Sequence, residues 1–413
     1  MNDNELFSVI SRWNFWDGRE LPFLVERNEI NFLKRFLNGN LVQIIKGPRR
    51  AGKSSLLKLI YKELKNEFDP LSFLFINLED VSLAQENNNP ELLERIFRIY
   101  RERVFPSGKA FVFIDEVQRI YGWERWVETY RESESVKFFI TGSSSKLSSV
   151  ELGSLLTGRH IDITLYPFSF RDYLFSKDIK FDNFHLDMNK DLIKNNFLHF
   201  LKIGGFPEVL LNYDVYDGYY VLESYFNDII YRDIVERWGI RDSRLMKRIA
   251  LFALKNNGNL ISYRQIQRLI ENISGKISPN TVSEYISHLL EAYMIFEVYL
   301  YSNSLKKSNY AKKKVYSVDT GLRNAVVKSL TEDYGRNTEN VVFIELLRRN
   351  YNVSFWNNDK SEVDFVCSNR DKNLLINVTA SNLENAKLKD REIIGLCDFP
   401  GDNFERILLT KDI

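Results

Sequence analysis

The feature that most constrains this chain is the stretch GPRRAGKSSLL at residues 47–57, which follows the short apolar run LVQII. Gly47, Gly52, Lys53 and Ser54 have the spacing of a phosphate-binding loop between a buried strand and a helix. In such a loop, backbone N–H groups and the start of the helix point at phosphates, and the glycines permit close approach. The sequence therefore predicts a nucleotide site at this strand-to-helix junction.

The expected ligands of this loop are ATP and Mg²⁺. Lys53 is expected to reach the terminal phosphates, and the hydroxyl group of Ser54 to bind the metal ion. Arg49 and Arg50 flank the phosphates, although solvated loop arginines would give the same pattern. The predicted nucleotide contacts are Gly47, Pro48, Arg49, Arg50, Ala51, Gly52, Lys53, Ser54 and Ser55.

A second motif, AFVFIDE at residues 110–116, supplies carboxylates. Asp115 ends an apolar strand, where its carboxylate can reach the Mg²⁺ shell. Glu116 can orient and deprotonate the water that attacks the γ-phosphate. A solvated acidic turn would look the same, but the position downstream of a phosphate-binding loop favours a catalytic role.

Two further residues are candidates for catalysis. Thr141 lies at the tip of the apolar run VKFFITG, with Ser143 and Ser144 in the turn that follows. A polar group there can bridge the γ-phosphate and the attacking water, although ordinary turn chemistry also explains these residues. Arg159 lies at a loop-to-strand junction and is a candidate arginine finger, in the same chain or across a subunit interface. A surface or structural arginine is the alternative.

Composition limits the remaining possibilities. A chain of 413 residues is expected to form two or three domains. Its 57 basic and 56 acidic side chains nearly cancel, so any affinity for nucleic acid must be local. Two cysteines provide no disulfide framework, and four histidines show no zinc spacing. No signal-peptide pattern or long apolar run is present, so we expect a cytoplasmic protein without a membrane contact.

The fold class predicted from the pattern of segments is α/β. Five apolar strand candidates alternate with amphipathic segments, which is typical of a parallel sheet covered on both faces. Three helices and a strand pair then predict a winged helix, followed by a small α/β region. The expected domains are a helical lead-in (1–40), a nucleotide-binding core (41–167), a helical region (168–243), a winged helix (244–320) and an α/β domain (321–413).

The order of these parts resembles a known family. The motifs that carry the resemblance are GPRRAGKSSLL, FVFIDEVQRIYGWERW, FFITGSSSKLSS, LLTGRHIDITLYPFSFRDYL, GGFPEVL and KVYSVDTGLRNAV. They are similar to AAA-type P-loop ATPases of archaea and bacteria, whose second half pairs a winged helix with a restriction-endonuclease-like domain. The resemblance covers nearly the whole chain. It implies an additional-strand ATPase core with Glu116 as base, Thr141 as sensor and Arg159 as finger, and makes a homo-oligomer plausible.

The sequence of the predicted winged helix is compatible with either DNA or a protein as its partner. Its third helix would place Asn280, Thr281, Ser283 and Glu284 near the groove of double-stranded DNA. The wing carries a basic cluster suited to phosphate contacts, consisting of Lys306, Lys307, Lys312, Lys313 and Lys314. However, winged helices also bind proteins, and Glu284 is unfavourable beside a phosphate. The two hypotheses are therefore an ATPase acting on or near DNA and an ATP-gated protein-interaction switch without DNA contact.

The last domain has part of a nuclease motif. Nucleases of the PD-(D/E)xK type place a helix glutamate, a strand aspartate and an (E/Q)xK strand around Mg²⁺. Glu339 and Asp364 fit the first two positions, but Asn377 and Thr379 stand where Glu/Gln and Lys are needed. We therefore expect this domain to be a scaffold or a reader of DNA shape, and Glu362 to serve structure.

Overall fold

The computed structural model describes residues 1–84, 86, 89, 91–133, 136–148, 156, 158–302, 304, 308, 311–328, 333–358, 360–379 and 386–410. The chain divides into two compact units, Met1–Leu165 and Tyr166–Ile413. No helix within the described residues is long and apolar enough to cross a membrane.

The first unit is built on a parallel sheet of five strands: β1 (Val42–Lys46), β2 (Phe73–Asn77), β3 (Ala110–Asp115), β4 (Val136–Gly142) and β5 (His160–Thr164). They lie in the order β2-β3-β4-β1-β5. β2 and β3 are almost entirely apolar, as expected of strands covered on both faces, whereas β5 at the sheet edge is only half-buried. All five predicted strands are present, and β4, which carries Thr141, lies between β1 and β3.

Helices cover both faces of this sheet. Leu6, Val9 and Ile10 of the first helix share a core with the fourth and fifth helices, and Leu33 shares the opposite core with the third. The predicted lead-in at residues 1–40 therefore lies in the same compact unit as the sheet. The helices are α1 (Asp3–Ser11), α2 (Glu29–Lys34), α3 (Lys53–Leu64), α4 (Glu91–Arg103) and α5 (Trp123–Ser133).

The second unit begins with helices. An eight-residue π-helix, Ile229–Glu236, continues directly from the helix Val215–Asp228. The α-helices are α6 (Phe170–Ser176), α7 (Asn183–Met188), α8 (Lys190–Ile203), α9 (Pro207–Asn212), α10 (Val215–Asp228), α11 (Ser243–Lys255), α12 (Tyr263–Ser274), α13 (Pro279–Glu291), α14 (Thr320–Val326), α15 (Tyr334–Arg348) and α16 (Ala386–Asp398).

One sheet of seven strands runs through the rest of this unit: β6 (Leu260–Ile261), β7 (Ile295–Leu300), β8 (Lys313–Ser317), β9 (Asn352–Asn357), β10 (Glu362–Ser368), β11 (Asn373–Thr379) and β12 (Glu405–Thr410). Their order in the sheet is β12-β11-β10-β9-β7-β8-β6. Two parallel pairs, Tyr299 with Ser354 and Leu300 with Phe355, join β7 to β9. Strands of the regions 244–320 and 321–413 therefore share a single sheet.

The motifs GGFP and DTGL, which are far apart in sequence, form one contact. The carboxylate of Asp319 accepts hydrogen bonds from the backbone N–H of Gly205 at 2.6 Å and of Leu322 at 2.9 Å. Gly321 lies so close to α8 that a Cβ there would overlap the backbone carbonyl of Ile203. These close contacts with the backbone of Ile203 and Gly205 therefore attach α14 to the end of α8.

Gly321→Ala is expected to destabilise the protein strongly. Overpacking of a dense interior costs about 1–3 kcal/mol, and the overlapping atom here is backbone rather than a flexible side chain. Gly335→Ala is the matched control, because a Cβ at Gly335 would meet no described atom within 4 Å and alanine favours a helix. Urea unfolding would measure both variants. Equal stability of the two would contradict this account of the contact.

Candidate functional site

The loop after β1 has the backbone geometry that phosphate binding requires. Gly52 has φ = 99° and directly precedes α3, and Gly47 has φ = 149°. A Cβ at Gly47 would overlap the carbonyl oxygen of Leu165, so only glycine fits there. Arg50 is also left-handed, with φ = 66°. These conformations turn the chain tightly from the carboxyl end of a strand into the N-terminus of a helix, which is a favourable place for an anion.

Lys53 lies inside this turn. Its Nζ donates hydrogen bonds to the backbone oxygens of Gly47 at 3.2 Å and Pro48 at 3.0 Å, and lies 3.3 Å from Oε1 of Glu116. Its side chain is 4% exposed. The loop thus holds a buried ammonium group at its centre, next to the carboxylate that follows β3.

Asp115, Ser54 and Thr141 meet at the carboxyl edge of the sheet. The Ser54 hydroxyl donates to Oδ2 of Asp115 at 2.5 Å, and the Thr141 hydroxyl donates to Oδ1. The Thr141 oxygen also accepts a hydrogen bond from the backbone N–H of Glu116 at 3.0 Å. Burial and the neighbouring Glu116 carboxylate raise the pKa of Asp115. A cation at this position would offset that cost, because it favours the ionised carboxylate.

Glu116 is buried and held in a left-handed backbone conformation, with φ = 57° and ψ = 51°. Burial alone would raise its pKa, but the Lys53 ammonium group and a hydrogen bond from the Gln118 side chain outweigh it and lower the pKa to about 2. The same Gln118 amide donates to the Ser143 hydroxyl at 3.2 Å. The carboxylate is therefore ionised at neutral pH and fixed in position.

Two residues of the site were missed by the sequence analysis. The Gln118 side-chain amide donates to the Glu116 carboxylate and orients it. The signal that could have identified Gln118 is its position two residues after Glu116 in the same turn. Glu79, just after β2, accepts hydrogen bonds from Arg49 at 2.9 Å and Arg119 at 3.4 Å. The carboxyl ends of parallel strands meet at one edge of a sheet, and this rule was sufficient to find Glu79.

The residues present fit Mg²⁺ and a nucleoside triphosphate. Ser54 and Asp115 offer adjacent hard oxygen atoms of the kind that Mg²⁺ prefers. The start of α3 and the Lys53 ammonium group supply positive charge for phosphates. Of the predicted contacts, Gly47 to Gly52 form the turn between β1 and α3, and Lys53, Ser54 and Ser55 form the first turn of α3.

Arg159 is not near the loop of its own chain. Its backbone oxygen accepts from the N–H of Val42, at the start of β1, whereas the loop follows the end of β1. Its guanidinium group pairs with Glu128, and with Glu132 at 3.0 Å. Of the two alternatives left open for Arg159, action within its own chain is disfavoured, because the residue precedes β5 and lies at the edge of the sheet opposite the loop. Action across a subunit interface remains a prediction.

The predicted basic wing is also corrected. Lys314 is buried, and Lys313 pairs with Glu297 at 2.7 Å and contacts the Tyr263 hydroxyl at 3.1 Å, so neither is available for phosphate. Lys312 is exposed. Lys306 and Lys307 lie outside the described residues.

Lys314 lies instead among the carboxylates of the suspected nuclease motif. Its Nζ is 3.2 Å from Glu339, 2.9 Å from Glu362 and 2.9 Å from Asp364. The Tyr316 hydroxyl donates to Glu339 at 2.5 Å. This group, which we call the Lys314 cluster, comprises Lys314, Tyr316, Glu339, Glu362 and Asp364.

Asn377 serves the backbone around this cluster. Its side-chain oxygen accepts from the N–H of Asp364 at 2.9 Å, and its amide group donates to the carbonyl of Glu392 at 2.9 Å. Thr379, two residues after Asn377, ends the same strand, β11. No group of three or more His, Cys, Asp and Glu residues in the described part of the chain has the arrangement of a metal site.

The third helix of the 244–320 region, α13, exposes the predicted polar side chains of Asn280, Ser283 and Glu284. Thr281 is half-buried, and its backbone N–H donates to the Ser278 hydroxyl at the N-cap. The exposed face of α13 is thus polar and bears one acidic side chain.

Comparisons with known proteins agree with the geometry of the first unit. Residues 39–174 match the family model described as an AAA domain. Residues 194–333 and 334–406 match models described as domains of unknown function, DUF8612 and DUF4143. An uncharacterized protein of Haemophilus influenzae is 29% identical over 386 residues, which are 93% of this chain and 92% of that protein.

The uncharacterized protein MJ1544 of Methanocaldococcus jannaschii is 32% identical over 367 residues, covering 86% of this chain and 77% of that protein. This chain belongs to the family of MJ1544. Its first unit contains an AAA-type domain of the P-loop ATPase class. Among solved structures, the Walker-type ATPase PABY2304 of Pyrococcus abyssi is 17% identical, with a TM-score of 0.41, and covers 73% of this chain and 96% of that one.

Proposed function

We propose that the protein hydrolyses ATP at the loop after β1. The observation that carries the proposal is the convergence of three groups at one edge of the sheet: the buried Lys53 ammonium group, the Ser54–Asp115 oxygen pair and the fixed Glu116 carboxylate. These are the parts that phosphoryl transfer from ATP to water requires.

In this mechanism Glu116 accepts a proton from the attacking water. The water oxygen forms a bond to the γ-phosphorus, the bond from that phosphorus to the β–γ bridging oxygen breaks, and ADP leaves with the electron pair. Lys53 binds the terminal phosphates and stabilises the charge that develops on them. Thr141 fixes Asp115 and the backbone of Glu116 through its two hydrogen bonds, and we propose a sensor role for it.

Ser54 and Asp115 would hold Mg²⁺, which when bound neutralises phosphate charge as a Lewis acid. Gln118 holds the Glu116 carboxylate toward Ser143, so that the base does not rotate freely. We propose that Arg159 acts on the nucleotide of a neighbouring copy, since in its own chain it lies at the edge of the sheet opposite the loop.

Lys53→Ala tests the proposal. The wild-type protein is expected to release phosphate from ATP in the presence of Mg²⁺, and the variant to lose nearly all of this turnover, since its loop lacks the central cation. Lys62→Ala, an exposed lysine on the same helix, is the matched control and is expected to keep the wild-type rate. Unchanged turnover in Lys53→Ala would place the activity elsewhere.

For the second unit, a winged helix and a degenerate nuclease-like domain remain our proposals. The order of α11, β6, α12, α13, β7 and β8 supports the first, because three helices are followed by an antiparallel pair. The presence of Lys314 beside Glu339 and Asp364, together with Asn377 and Thr379 on β11, supports the second.

The DNA-acting form of the function and the ATP-gated protein switch differ in one measurable respect. The first predicts that double-stranded DNA raises ATP turnover and that added salt removes the effect, because phosphate contacts release counterions. The second predicts a turnover that DNA does not change. Five exposed arginines between residues 232 and 248 favour the DNA-acting form.

A further inference from the structure

A strongly basic segment runs from the π-helix into the first turns of α11. Residues 232–248 contain six basic and three acidic side chains, whereas the whole chain has a net charge of +1. Five exposed arginines in this segment form what we call the arginine face: Arg232, Arg237, Arg241, Arg244 and Arg248.

Three members of the arginine face have no partner. Arg232, Arg241 and Arg244 form no ion pair and no hydrogen bond with another described residue. In the same unit Arg323 and Arg336, by contrast, both pair with Asp333. Guanidinium groups that the fold leaves exposed and unpaired remain available to an external anion.

The position of these arginines is not explained by helix stability. Arg241 precedes the N-cap Asp242, and Arg244 lies in the first turn of α11. Cations are unfavourable there because the N-terminal end of the helix dipole is positive. The dipole and the arginines instead add to one positive potential, which attracts anions.

The segment that joins the π-helix to α11 packs against α13. The Trp238 ring stacks on the ring of His288 in α13, with centroids 4.6 Å apart and planes at 20°. Burial and the Asp242 carboxylate together raise the pKa of Tyr285, also on α13. The segment from Trp238 to Asp242 is therefore held against this helix, whose exposed side chains include Asn280, Ser283 and Glu284.

We infer that the arginine face binds the phosphate backbone of double-stranded DNA, in place of Lys313 and Lys314, which pair with carboxylates within the fold. The guanidinium group of arginine can donate two hydrogen bonds to phosphate oxygens, and the exposed amide and hydroxyl groups of α13 are of the kind that contact base edges. The inference rests on the DNA-acting form of the proposed function. It does not depend on ATP turnover, so Lys53→Ala is expected to bind DNA as the wild type does.

The test is fluorescence anisotropy with a labelled 30-base-pair duplex at salt concentrations from 50 to 200 mM, without nucleotide. The triple variant Arg232→Gln/Arg241→Gln/Arg244→Gln is expected to bind at least tenfold more weakly at the lowest salt. Each lost phosphate contact reduces the slope of log affinity against log salt by about 0.9, so three contacts reduce it by about 2.7.

Two further variants make the result specific. Arg35→Gln/Arg125→Gln/Arg370→Gln removes three exposed arginines elsewhere and is expected to keep the wild-type slope. Arg232→Lys/Arg241→Lys/Arg244→Lys keeps the charges and is also expected to keep the slope. A wild-type protein that does not bind the duplex at 50 mM salt would overturn the inference, as would equal slopes for the two glutamine variants. Binding of a labelled poly-glutamate chain, but not of the duplex, would assign the face to an acidic protein and would also overturn it.

Discussion

Glu116→Gln is expected to bind ATP but to hydrolyse it about 10²-fold more slowly or worse, the scale of a lost general base. The amide has nearly the shape of the carboxylate and can still contact Gln118 and Lys53. It cannot accept a proton from water. The loss is therefore expected in the chemical step and not in nucleotide binding.

Single-turnover hydrolysis and the dissociation constant for ATP would be measured on the same preparation. Glu67→Gln, an exposed glutamate in the first unit, is the matched control and is expected to match the wild type in both. Wild-type hydrolysis by Glu116→Gln would remove this residue from the role of base. A parallel loss of ATP binding would show that it acts by holding the loop.

Lys314→Met is expected to cost about 3–5 kcal/mol of unfolding free energy, because it leaves buried carboxylates without their cation. Lys314 is 4% exposed and contacts Glu339, Glu362 and Asp364. Methionine fills similar space, so the loss reports charge rather than a cavity. Lys312→Met, an exposed lysine immediately before β8, is expected to change stability by less than about 0.5 kcal/mol.

The loss in Lys314→Met is also expected to depend on pH. Burial already raises the pKa of Glu339 in the presence of Lys314, and without the ammonium group the folded-state pKa of Glu339 is expected to rise further above its unfolded value. The penalty is then present at neutral pH and decreases as pH falls through that raised pKa, since protonation removes the buried charge. Urea unfolding at pH 8 and pH 5 would measure this. A loss that is small or equal at both pH values would contradict the ionic account of the cluster.

The first unit was predictable from sequence because its signals are local. The strands β1, β3 and β4 are apolar runs that end at or beside a glycine or an acidic residue, and the loop from Gly47 to Ser54 is contiguous. Its left-handed glycines follow from the motif itself. The meeting of Asp115 and Thr141 follows from a general property of parallel strands, whose carboxyl ends share one edge.

The remaining differences have separate physical causes. For Arg159 the sequence leaves action in the same chain or across an interface open, and the rule about strand edges favours the second because the residue precedes its strand. Lys314 is predicted to belong to a basic wing because it follows Lys312 and Lys313, whereas the structure buries it. Its burial depends on the distant carboxylates of α15 and β10, which no local pattern reveals. The single sheet across residues 244–410 depends equally on a long-range pairing of β7 with β9.

The central claim is that the loop around Lys53 binds a magnesium-bound triphosphate. Titration calorimetry of the purified protein with ATP and Mg²⁺ tests it most directly, with Lys53→Ala and Lys62→Ala titrated in parallel. We expect one saturable binding event per chain in the wild type and in Lys62→Ala, and none in Lys53→Ala. No binding heat in the wild type at several temperatures, or the same heat in all three proteins, would contradict the account.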